Sequence, residues 1–192
     1  MSRYDGGAPP VVILSTGQVT KIDAARRQLD SAIGLFFSQG DPIAVATLAY
    51  NALEISATLA RQSGAFDWTT FEDVAQSLGT TGAEARRIVH HPRNFFKHAD
   101  RDQDDVLPSW TDNDIEHLLA LTVIQFGEVA ERSAEMWSAL IWYYATHPDV
   151  KAPSGGGLEE LVNEFSYLAT LERAERLAQR SLVLDELRRR AR

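Results

Sequence analysis

Three of the five histidines, His90, His91 and His98, fall within nine residues of one another. The stretch from Arg86 to Ala99 also holds Arg86, Arg87, Arg93 and Lys97 without one acidic residue, an anomaly in a chain of net charge −8. Pro92 predicts a fresh helical start, because proline suits the first helical position and breaks a helix that runs into it. From there, steps of about 100° place Arg93, Asn94, Lys97, His98 and Arg101 on one arc, with Phe95, Phe96 and Ala99 facing the other way. A phosphodiester fits such a face. Guanidinium and ammonium groups hold phosphate oxygens, a histidine near its working pKa moves protons, and the free N–H groups of a helix start favour an anion.

At Arg93-Asn94-Phe95-Phe96-Lys97-His98 the sequence resembles the signature of the HEPN superfamily (higher eukaryote and prokaryote nucleotide-binding): an Arg, often followed by a polar residue, then a His after a short spacer, here of four residues. The resemblance implies an all-helical bundle that dimerises with the motif at the interface. In many members it also implies a metal-independent endoribonuclease. On that reading His98 takes the 2′-hydroxyl proton or protonates the leaving oxygen, Arg93 stabilises the phosphate charge, and Asn94 orients one of them. Lys97 and Arg101 would bind the substrate, the product would carry a 2′,3′-cyclic phosphate, and no cofactor or metal is required. The partners implied are a second copy of the chain, RNA or a nucleotide, and an antitoxin-like protein.

The same residues have a plainer reading, in which Arg93 and Lys97 form a solvated face pairing with downstream aspartates while Phe95 and Phe96 fill the core. The chain would then be a non-catalytic protein-interaction or dimerisation module, with Asn94 and His98 bonded to a loop carbonyl. Asp100, Asp102 and Asp104 alternate as in the start of a calcium loop. The glycine needed at its sixth position is Asp105, however, and the glutamate needed at its twelfth is Thr111, so no specific divalent ion is expected. His98 and Asp102 supply only two of the three ligands that catalytic zinc requires.

The elements that must position this segment read as helices. Ile22, Ala25, Leu29, Ala32, Ile33 and Phe36 recur at threes and fours after Thr20. Asp41 is a candidate N-cap with Pro42 in the first turn, and Val45, Leu48, Ala52, Ile55 and Leu59 form a second stripe reaching about Ser63. The Thr69–Glu72 and Thr81–Glu84 spacings predict a short helix over about 70–78 and another from near Gly82. Residues 100–114 read as a polar loop, and one long helix is expected after it, its stripe of Leu119, Val123, Phe126, Ala130, Trp137, Ile141 and Tyr144 running to His147-Pro148 and weakened only at Gly127. A last helix is expected from Leu158 into the Arg-rich end, with Leu161, Val162, Phe165, Leu168 and Ala169 on its buried face. Arg173, Arg176 and Arg180 share a face that reads as solvated, and Trp137, Trp142, Tyr143 and Tyr144 as core or dimer interface.

The expected architecture is therefore an all-α bundle of about five to seven helices. Residues 1–19 form a loose arm and 20–192 a single domain, with a Gly-rich linker at 154–157. The 44% hydrophobic content supports a packed core. The absence of cysteine excludes disulfides, thiolate nucleophiles and cysteine zinc sites. The acidic balance excludes a surface that binds nucleic acid everywhere, since that depends on Lys and Arg displacing counterions. With no uninterrupted apolar run of membrane length, the expectation is a cytoplasmic chain without a membrane partner.

Overall fold

Thr20 starts the first helix by a reciprocal cap. Its hydroxyl accepts the Asp23 N–H at 3.1 Å, and the Asp23 carboxylate accepts the Thr20 N–H at 3.0 Å. In the computed structural model, which describes residues 18–69, 94–95, 107, 111–152 and 157–190, this helix is α1 (Lys21–Phe37). Its buried residues, Ala25, Leu29, Ala32, Ile33 and Phe36, are those of the expected stripe. Asp41 caps α2 (Pro42–Ser63) by accepting the Ala44 N–H at 2.9 Å, and Gly64 ends it in the left-handed conformation with φ of 74°.

Of the stripe expected on α2, Val45 and Ala52 are buried. Leu48 and Ile55 are only partly buried, whereas Ala46, Ala49, Leu53, Ser56, Ala57 and Ala60 are sealed. Small side chains admit close neighbours, and α2 packs against both α1 and α3 (Asp112–Phe126). The buried Ser56 hydroxyl donates to the Ala52 carbonyl at 2.8 Å. By length and composition α2 could cross a bilayer, but half of its apolar window is buried inside the bundle, which accounts for its hydropathy.

The expected long helix is two helices. α3 stops at Phe126, and α4 (Ala134–Thr146) begins only after Ser133, whose hydroxyl accepts the Met136 N–H and donates to Asp30 on α1 at 2.7 Å. The physical reason for the break is at Gly127. The Arg132 side chain folds back there and donates to the Val123 and Ile124 carbonyls at 2.9 and 3.0 Å. The Gly127 N–H already reaches both carbonyls, at 3.2 and 3.1 Å, and the guanidinium adds a charged donor to each at the helix end.

The C-terminal helix is likewise divided, into α5 (Leu158–Glu164), a 3-10 turn at Ser166–Thr170, α6 (Arg173–Ala178) and α7 (Arg180–Arg190). Leu161, Phe165 and Leu168 are buried as expected, but Ala169 is exposed. Leu171 and Glu172 are extended, and this turns the chain back over α4. There Arg173, Arg176 and Arg180 lie over the rings of Phe36, Trp142 and Phe37, with 5.8, 5.6 and 4.7 Å between each guanidinium carbon and the ring centre. The expected solvated face is an inward one, because a guanidinium plane stacks on an aromatic face as an ammonium does not.

Trp142, fully buried, donates its indole N–H to the Arg176 carbonyl at 3.1 Å and meets Phe36 and Phe37 edge-on. Buried side chains from α1 through α7 form one continuous core, and no strand occurs among the described residues. The chain is an all-α helical bundle.

Candidate functional site

Of the residues expected to do chemistry, Asn94 is described: it is helical and exposed, and the adjacent Phe95 is helical and half-buried. Arg93, Lys97, His98 and Arg101 lie outside the described residues. So do the expected short helices over 70–78 and from Gly82, the aspartates from Asp100 to Asp105, and the linker apart from Gly157. Gly157 has φ of 77° and precedes α5. Among the described residues no group of three or more His, Asp or Glu side chains could hold a metal ion.

Two other arrangements bring reactive or recognition groups together. The first joins the start of α3 to the end of α4. The His147 ring donates from Nδ1 to the Tyr143 carbonyl at 2.9 Å, and its Nε2 lies 3.0 Å from Asn113 Oδ1 and 3.3 Å from Glu116 Oε2. Tyr143 stacks on this imidazole with centres 4.4 Å apart. Burial raises the Glu116 carboxyl above its ordinary value, against the pull of Arg176 and Arg173. It also lowers the His147 imidazole and pushes the Tyr143 phenol up to about 12. At both members of the acid–base pair burial disfavours the charged form. The adjoining cavity is only about 10 Å³, walled by Phe36, Phe37 and Trp142. No substrate fits there, so the pair acts as a clasp between helices.

The second arrangement is a solvent-open cleft of about 660 Å³. Ile124, Leu140, Ile141, Leu161 and Leu187, from four different helices, supply its aliphatic walls. Trp137 adds an aromatic wall, over which the Arg132 guanidinium stacks at 5.0 Å. Polar groups gather at the rim: Glu128, Arg132, Tyr144 and Lys151. Glu128 accepts the indole N–H of Trp68 at 3.1 Å. Gln125, fully buried, holds the Trp68 loop by accepting its backbone N–H at 2.7 Å and donating to the Phe66 carbonyl at 3.2 Å. Burial lowers the Arg132 guanidinium, and Glu128 only partly offsets this.

Sequence reasoning missed the cleft. Its lining comes from residues up to 119 positions apart, Trp68 to Leu187, and each aliphatic member reads locally as an ordinary core position. The buried Gln125 is the one sequence signal that stands out, a polar side chain in the apolar run from Leu118 to Phe126 that must find partners. No family model matches the chain, and neither a curated protein nor a solved structure is detectably similar to it.

Proposed function

We propose that the chain is a HEPN-like, RNA- or nucleotide-directed protein that acts as a homodimer through Arg93, Asn94 and His98, with Lys97 and Arg101 holding the substrate backbone. The observation that carries this reading is the two-sidedness of the motif segment where it is described: within an all-α chain, Asn94 is helical and exposed while Phe95 turns partly inward. The chemistry would be attack of the 2′-oxygen on the adjacent phosphorus and loss of the 5′-oxygen, giving a 2′,3′-cyclic phosphate and a 5′-hydroxyl. His98 would take the attacking hydroxyl's proton or protonate the leaving oxygen, and Arg93 would stabilise the charge on phosphorus.

The test is cleavage of single-stranded RNA by the full chain in EDTA. Wild-type protein should leave cyclic phosphate ends, and His98→Ala should lose about 10²–10⁴-fold in rate with its helical content unchanged. Intact RNA across a broad panel, or a His98→Ala variant as fast as wild type, would defeat the catalytic reading. The alternative is a non-catalytic interaction module, which the exposed Phe66–Trp68 pair favours, its rings edge-on with centres 4.7 Å apart.

A further inference from the structure

The cleft between α3, α4, α5 and α7, which neither of the described motif residues Asn94 and Phe95 lines, has the build of a ligand site. Its volume of about 660 Å³ lies inside the span of roughly 300–1,000 Å³ usual for small-molecule pockets. Apolar walls with a few polar groups at one margin are the arrangement by which such pockets bury a ligand's body and orient its head.

The sign of that head follows from the rim. It carries two cations, Arg132 and Lys151, and one carboxylate, Glu128. Glu128 is already engaged with the Trp68 indole. Arg132 spends its Nε and one terminal nitrogen on the Val123 and Ile124 carbonyls and is not paired with an acid among the described residues. Lys151 is exposed and makes no ion pair among the described residues. The rim therefore keeps a surplus of positive charge beside apolar walls, which is complementary to a single negative head on a hydrophobic body. A cationic amphiphile would meet two like charges, and a neutral one would leave both cations unused.

We propose that this cleft binds a small amphipathic carboxylate, its apolar body against Leu140, Ile141 and Leu187 and its head group met by Lys151 and Arg132. Trp137 adds a flat wall that accepts either an acyl chain or an aromatic ring. The volume sets the limit on size: a single chain or a fused ring pair enters, and a two-chain lipid does not.

Decanoate, decanol and decylamine, titrated onto the full chain by calorimetry below their micellar range, separate head-group recognition from apolar burial. Decanoate should bind saturably at one per chain and more tightly than the other two. Lys151→Glu, a change at an exposed position, should weaken decanoate about tenfold, or about 1.4 kcal/mol, while leaving decanol unchanged, since it removes a charge-assisted contact to the head group. Leu187→Trp, which fills the cleft from its half-buried wall, should weaken all three. Absence of saturable decanoate binding to the folded chain would overturn the proposal, as would a Lys151→Glu variant that binds decanoate like wild type, or a preference for decylamine. If sedimentation shows a dimer that Leu187→Trp dissociates, a second copy covers the cleft and the proposal also fails. None of these outcomes bears on RNA cleavage, which the cleft residues do not enter.

Discussion

Gly127 and Arg132 form a single device: the guanidinium lies where a side chain at position 127 would begin. A Cβ built on Gly127 would sit 1.9 Å from the Arg132 guanidinium carbon. The glycine is in an ordinary right-handed helical conformation, with φ of −64°, so what it supplies is space for the guanidinium and not backbone freedom. The space lets Arg132 cap α3 while stacking on Trp137, and so fixes both the break before α4 and one rim of the cleft.

The first prediction is that Arg132→Ala and Gly127→Ala each destabilise the fold, by about 1–3 kcal/mol for the lost carbonyl bonds. The double variant should cost less than their sum, because Gly127→Ala acts by displacing a side chain that Arg132→Ala has already removed. Denaturant unfolding of the four proteins in the cycle measures this, and additive effects would mean that the two residues are independent.

A second prediction concerns pH. Burial raises Glu116, so the folded state binds that proton more tightly than the unfolded chain does. Its contribution is fully present below the ordinary value of 4.5 and is lost as pH rises through the folded value. Near neutrality the ionised carboxylate is a liability, faced by His147, Asp112, Arg173 and Arg176. Glu116→Gln should therefore raise Tm at pH 7, with the advantage closing as pH falls towards 4.5. His147 runs the opposite way: lowered by burial, its contribution is present above the ordinary value of 6.5 and is lost as pH falls through the folded value. Thermal scans of wild type and Glu116→Gln between pH 4 and pH 8 test the sign, and a gap that widens at low pH would refute it.

A third prediction separates stacked arginines from merely charged ones. Arg180 lies over Phe37 and is half-buried, whereas Arg189 pairs with Glu186 at the exposed end of α7. Arg180→Lys should destabilise by about 1 kcal/mol despite keeping the charge, because the ammonium loses the planar stack. Arg189→Lys should stay within about 0.5 kcal/mol, as surface pairs contribute little. Equal effects would mean that stacking contributes nothing.

How much of this was legible in the sequence depends on whether the deciding signal was local. Asp41 before Pro42 announced the α1–α2 turn, and the stripe of α1 marked its buried face, since both are set within a few residues. The break between α3 and α4 was hidden because Leu119, Val123, Phe126 and Ala130 continue smoothly towards Trp137. The evidence against continuity lay in Ser133 as an N-cap and in a long-range role for Arg132. The buried face of α2 is legible only in part, through Val45 and Ala52, because alanine marks a face only through what packs on it. The three stacked arginines read as solvated because nothing in residues 173–180 reveals that Phe36, Phe37 and Trp142 lie beneath them. At the motif, the helical arc expects Asn94 outward and Phe95 inward; Asn94 is exposed and Phe95 only half-buried.

The docking of α6 and α7 onto Trp142 has a consequence for how the chain is made. The α1–α2 hairpin is joined by a short turn, so its two helices can pair early during synthesis, which proceeds from the N-terminus. Trp142 must wait: its indole partner is the carbonyl of Arg176, and the guanidinium above it belongs to the same residue. Until residues 173–190 have emerged from the ribosome, the nascent polypeptide carries Phe36, Phe37 and Trp142 as an uncovered aromatic face. Translational pausing or premature termination in that interval would leave this face open to chaperones and to self-association.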